Sequence, residues 1–100
     1  MTRSLFFLHA RPGGGRQVLD VLERLGVLAL AGGHPGLLGI EAAASVDDED
    51  DIVILGSWAS PAHYERWRAS PDHGRLLQEL SPLLTTEPEA RVYRIAESTS

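Results

Sequence analysis

Four short runs of the chain carry strand-like patterning, and the stretches between them carry helical patterning. From Leu5 to Ala10 both alternating sets of positions are largely apolar, with Leu5, Phe7 and His9 on one side and Phe6, Leu8 and Ala10 on the other. That pattern predicts a strand buried on both faces. Arg11 to Gly15 is a Gly/Pro turn, after which Val18, Val21, Leu22 and Leu25 recur at helical spacing opposite Gln17, Asp20, Glu23 and Arg24. Gly26 ends or loosens that helix, and Val27 to Ala31 offers one further turn. Gly32 to Gly36 breaks the chain before a second strand from Leu37 to Ser45, and Ile52 to Trp58 reads as a third. Helices follow from Pro61 to about Leu84. Leu76, Leu77, Leu80, Leu83 and Leu84 form a core stripe there, and Pro82 makes the last turn irregular. Arg91 to Ala96 alternates as a fourth strand, and residues 97–100 form a polar tail expected to be flexible.

The order β-α-β-β-α-β predicts an α+β fold of the ferredoxin-like kind: a single domain over residues 1–100, with both helices on one face of an antiparallel sheet of four strands. Those helices cover only one face, yet the first and third strands are apolar on both, Ile52, Ile54 and Trp58 against Val53 and Leu55. An uncovered apolar face of that size is too large for a soluble monomer. Packing it against the same face of a second copy removes the exposure, so a two-fold homodimer is expected.

A chain of 100 residues buries somewhat over ~60% of its unfolded surface, enough for one core. The formal net charge of −5 and the lack of a basic cluster argue against nucleic acid and anionic membranes. With no cysteine there is no disulfide, thiolate metal site or cysteine nucleophile, which is compatible with a reducing cytoplasm. Met1 to Leu8 has a basic residue and a short apolar run. A histidine, an arginine and three glycines follow, rather than a signal core and cleavage site. No stretch approaches the ~20 apolar residues of a membrane span. A soluble cytoplasmic protein is the expectation. Asp47 to Asp51 is an unbroken acidic run, read as an exposed hairpin loop because like charges repel and stay solvated. A calcium loop would need the alternating ligands and central glycine of an EF-hand.

Candidate chemistry concentrates after the third strand. Ser60-Pro61 and Ser70-Pro71 each mark a helix start, serine capping free amides and proline fitting the first helical position. His63 and Trp67, four residues apart, present an imidazole and an indole to the same space, an arrangement suited to a flat, acidic organic molecule. His73 lies in the first turn of the next helix, whose positive end favours the neutral imidazole a general base requires. His9 lies on an apolar strand face. Each has a plainer reading: His63 solvated or capping, His73 at the surface, His9 a satisfied buried histidine. Trp67, Tyr64 and Trp58 are the candidate substrate contacts, with core packing as the alternative for the indoles and a structural role for the phenol. Arg66 and Arg68 read as solvent-facing or dimer contacts, and His34, in a Gly/Pro turn, as having no specific role. The histidines lack the spacing with a carboxylate that a metal site uses, so no metal is expected. Gly13-Gly14-Gly15 before a helix could cradle phosphate, but without a P-loop lysine or dinucleotide pattern it reads as a flexible turn.

Several segments stand in a familiar order. His34-Pro35-Gly36-Leu37-Leu38-Gly39-Ile40-Glu41 leads into strand two, Gly56-Ser57-Trp58 ends strand three, a helix with a tryptophan follows, and Ser70-Pro71-Asp72-His73 precedes the last helix. Together they resemble the antibiotic biosynthesis monooxygenase family of the dimeric α+β barrel group, over nearly the whole chain. The resemblance implies small oxygenases that use neither metal nor flavin and oxidise polycyclic phenols to quinones in polyketide pathways; other members degrade haem. It implies a pocket between helices and sheet in each protomer, with the family's tryptophan at Trp67. A polar side chain one turn earlier, often asparagine, corresponds to His63, a polar residue on the first strand to His9, and a phenol-type group to His73. The axial histidine of the haem-degrading branch corresponds to Leu77, which speaks against haem.

The resulting expectation is a cofactor-independent monooxygenase acting on an anthrone- or phenol-type polyketide intermediate, with molecular oxygen as co-substrate. A histidine, His63 first and His73 or His9 second, removes the proton, for which an imidazole with a pKa near ~6.5 is suited. The delocalised carbanion then passes an electron to oxygen while Trp67 stacks on the rings and keeps water out. The alternatives are a polyketide cyclase using the same pocket and a non-catalytic dimeric ligand-binding or accessory protein.

Overall fold

The computed structural model describes residues 1–26 and 33–99; the turn expected over Val27 to Ala31 lies outside them. Strand β1 (Thr2–His9) and strand β3 (Asp51–Trp58) form the centre of a four-stranded sheet, with β2 (Leu37–Ala44) beside β3 and β4 (Glu89–Arg94) beside β1. Every neighbouring pair is antiparallel. Helices α1 (Gly15–Leu25), α2 (Pro61–Arg68) and α3 (Pro71–Leu80) complete the ferredoxin-like α+β arrangement that the pattern predicts. A 3-10 turn at Ser81–Leu83 follows, where Pro82 interrupts regular helix.

Register fixes which residues face the helices. Leu8 pairs with Ile52, Phe6 with Ile54 and Ser4 with Gly56, while Phe7 with Val53 and Leu5 with Leu55 project to the opposite face. On the helix side Leu8, Ile52 and Trp58 meet Val18 of α1 and Leu80 of α3, all fully buried. Burying Leu8, Val18, Ile52 or Leu80 is worth about 1.5–3 kcal/mol each relative to exposure. On the other side Leu5, Phe7, Val53 and Leu55 are half-buried.

Three strands begin earlier than expected, β3 by a single residue at Asp51. Thr2 and Ser4 are polar, so alternation of apolar residues starts only at Leu5; yet Thr2 pairs with both Trp58 and Arg94, and both polar residues are buried. β4 likewise begins at Glu89 opposite Phe7 rather than at Arg91. The acidic run is exposed from Asp47 to Glu49, but Asp50 is half-buried and Asp51 already opens β3. The Asp50 carboxylate accepts hydrogen bonds from the backbone N–H of Gly13 (2.9 Å) and Gly15 (2.8 Å), at the start of α1. The chain thus supplies its own anion to the free amides that a phosphate would use. A side chain at Gly15 would collide with the Glu49 carbonyl, so glycine there is what lets the loop close on the helix.

Candidate functional site

α2 and α3 begin with the same device. Ser60 Oγ accepts the backbone N–H of His63 (3.4 Å) and Ser70 Oγ that of His73 (3.3 Å), and a proline opens each helix. The Ser70 hydroxyl also donates to the Trp67 carbonyl (2.6 Å), tying the end of α2 to the start of α3. That joint sets the indole of Trp67 and the imidazole of His73 side by side, ring centroids 5.5 Å apart and nearly perpendicular. The other flank of His73 meets the edge of Phe6 from β1 (5.4 Å), and His34 stands edge-on to Trp67 (4.8 Å).

Of these rings, Phe6, Trp67 and His73 border a small cavity of about 20 Å³, whose lining also includes Ser4, Ile40, Ile54, Trp58, Tyr64 and Leu76. That is room for one water-sized molecule. Its polar groups are few and oriented. The Trp58 indole donates to Ser4 Oγ (3.0 Å), which fixes that hydroxyl in the wall. The hydroxyl of Tyr64, itself 3% exposed, is buried with no hydrogen-bond partner among the described residues. Burial pushes its pKa up, partly opposed by the Arg68 charge, so it remains a neutral donor. His73 is 5% exposed. Burial, assisted by the nearby Arg68 charge, holds its pKa below the ordinary histidine value, and the neutral imidazole dominates at physiological pH. Neutrality was expected from the helix end; desolvation and Arg68 are the causes found.

A second, open space adjoins the first. The cleft between α3 and the β4 side of the sheet encloses about 470 Å³ and is lined by Phe6, Arg68, His73, Leu77, Gln78, Ser81, Glu87, Pro88 and Ala90. Phe6 and His73 belong to both spaces and form the partition between them. The small cavity cannot hold a polycyclic molecule as it stands; the cleft falls in the range of ordinary small-molecule sites, roughly 300–1,000 Å³.

Of the residues singled out from sequence, His73, Trp67, Tyr64 and Trp58 meet around the cavity, and His63 and His9 do not. His63 is half-buried, its Nδ1 2.7 Å from Ser60 Oγ and its ring packed over Gly36. Gly36 has φ +82° and a Cβ there would overlap the imidazole, so glycine serves both the turn and the contact. His9 projects from the opposite face of the sheet, where its Nδ1 lies 3.5 Å from Asp51 Oδ1 and half its side chain is exposed. His34, read from sequence as having no role, instead packs on Trp67 and pairs with Asp72 through Nε2 (3.4 Å). Arg68, Phe6 and Ser4 were also missed as site residues; placing the start of β1 at Thr2 would have put Ser4 on the helix face with Phe6 and Leu8. Among the described residues no three His, Cys, Asp or Glu side chains converge as a metal site would require, and no helix is long and apolar enough to cross a membrane.

Residues 1–79 match the family described as antibiotic biosynthesis monooxygenase. No curated protein matches the chain in sequence. Solved structures share its fold at low identity. A candidate antibiotic biosynthesis monooxygenase from Deinococcus radiodurans superposes with a TM-score of 0.85 at 16% identity, over 100% of this chain and 97% of that one. Rv0793 from Mycobacterium tuberculosis gives 0.82 at 16%, over 99% and 98%. A variant of SnoaB, a cofactor-independent oxygenase from Streptomyces nogalater, gives 0.79 at 15%, over 97% and 94%.

Proposed function

Because the chain belongs to the antibiotic biosynthesis monooxygenase family, we propose that it is a cofactor-independent monooxygenase of a flat aromatic polyketide intermediate of the anthrone or phenol type. The likeness to SnoaB, a cofactor-independent oxygenase, supports this reading. The observation that carries it is a buried neutral imidazole, His73, in the wall of a small cavity also lined by Tyr64, a phenol with no partner among the described residues. His73 takes the proton from the activated carbon of the substrate, leaving a delocalised carbanion. One electron passes to dioxygen, the radical pair joins to a carbon-bound hydroperoxide, and loss of water gives the ketone. In sum, a CH₂ group and O₂ become C=O and H₂O, and His73 returns to neutrality. The cavity has room for a molecule of two or three atoms. Tyr64 supplies an O–H to negative oxygen formed beside it, an interaction strengthened by the dry surroundings. Trp67 and Trp58 exclude water that would quench the radical pair.

The same reading includes a homodimer. Leu5, Phe7, Val53 and Leu55 make an apolar strip on the sheet face away from the helices, and a second copy covering it through a two-fold axis would remove it from water.

Anthrone is the simplest carbon acid of this class. Incubated aerobically with the protein, it should consume one dioxygen per anthraquinone formed, and formation should stop under nitrogen. Turnover that continues without oxygen points to the cyclase. Binding without turnover in either atmosphere points to the accessory protein, and both results contradict the proposal.

A further inference from the structure

The small cavity cannot hold the organic substrate, so the substrate approaches His73 from another side. A second space that touches His73 is the cleft between α3 and β4. Its walls combine apolar area from Phe6, Leu77, Pro88 and Ala90 with the guanidinium of Arg68. Arg68 forms no ion pair among the described residues. Glu87 is the one carboxylate of the lining. We propose that this cleft takes the substrate as a flat organic anion, with Arg68 holding its carboxylate or ionised phenol and the ring system laid across the apolar wall so that its reacting carbon meets His73. An arginine fork suits a planar carboxylate and stays charged at any working pH. The position of Arg68 also explains its sway over both His73 and Tyr64, whose pKa values its charge lowers. Selectivity then arises at the outer cleft, through the charge of the substrate, while the proton is taken at the partition.

This assignment rests on the monooxygenase reading, but its test is a binding measurement. Anthraquinone-2-carboxylate and the neutral 2-hydroxymethylanthraquinone are titrated calorimetrically into the full chain at pH 7.5. The carboxylate should bind about tenfold tighter, the equivalent of ~1.4 kcal/mol. Arg68→Gln should abolish that advantage and leave the neutral ligand within about twofold, and Glu87→Gln should tighten the carboxylate two- to threefold. Leu77→Trp should weaken both ligands by filling the cleft. Amide shifts at Gln78 and Ala90 in the unmodified protein locate the ligand without relying on that variant folding. Equal affinities, indifference to Arg68→Gln, or shifts confined to the exposed sheet face overturn the assignment. If the charge selectivity holds but no flat acid drives oxygen uptake, the cleft stands and the oxygenase reading falls. If oxygen uptake is observed with a carboxylated anthrone and Arg68→Gln leaves its KM unchanged, the reverse is true.

Discussion

Ser60-Pro61-Ala62-His63 and Ser70-Pro71-Asp72-His73 are two copies of one local instruction, and the backbone executes both alike: serine caps, proline opens the helix, and the histidine N–H is the group that is capped. The side chains then part. His63 turns back to Ser60 Oγ and packs on the Gly36 turn. His73 is driven between Phe6 and Trp67 because α3 lies over the centre of the sheet. A motif fixes how a helix starts; what its first-turn side chain can do chemically is decided by the surface it is pressed against. On the reading proposed above, the buried histidine is the base, while the other packs on the Gly36 turn and its own cap.

The largest effect should fall on that contrast directly. His73→Ala should reduce anthrone kcat/KM by about 10²–10⁴, the usual range for a general base, whereas His63→Ala should stay within about threefold. Comparable losses from the two variants would erase the distinction. Next come the caps. Ser70→Ala should cost about 1–2 kcal/mol in denaturant unfolding, and Ser60→Ala about 1 kcal/mol. Ser70 costs more because its hydroxyl also bonds the Trp67 carbonyl, and its loss should lower activity as well by loosening the joint that seats His73. Equal effects, with activity untouched in both, would remove the link between cap and site. Smallest and of opposite sign, Tyr64→Phe should raise stability by up to about 1 kcal/mol, since it deletes a buried hydroxyl that no group of the described residues satisfies. The same variant should lose turnover. A fall in its thermal midpoint would mean that the hydroxyl has a structural partner.

How far the sequence could be read follows the same division. The short apolar runs of β1 and β3, the paired Ser-Pro starts and the glycine breaks are local signals, and they led to the correct fold. Trp58, Tyr64, Trp67 and His73 were all legible as candidates because large aromatics and histidines are scarce on this chain. His63 was ranked above His73 on its four-residue spacing to Trp67, which says that two residues share a helix face but not what lies opposite that face; it is His73 that lines the cavity. Parity along β1 puts His9 on the face away from the helices, with Leu5 and Phe7. Asp50, hidden in a run of like charges, and His34, hidden in a turn, owe their roles to contacts with distant elements, Gly13 and Gly15 for one and Trp67 and Asp72 for the other. Nothing local marks such partners.

The central claim is that burial keeps the His73 imidazole neutral and available. NMR titration of its Cε1–H resonance tests this directly. The account predicts a midpoint below the ordinary value of about 6.5. Because the unfolded chain then takes up the proton first, unfolding free energy should fall as pH drops from about 6.5 to that midpoint and level off beneath it. The slope should be missing in His73→Gln. A midpoint at or above 6.5 would contradict the account, because His73 would then be a solvated or ion-paired side chain.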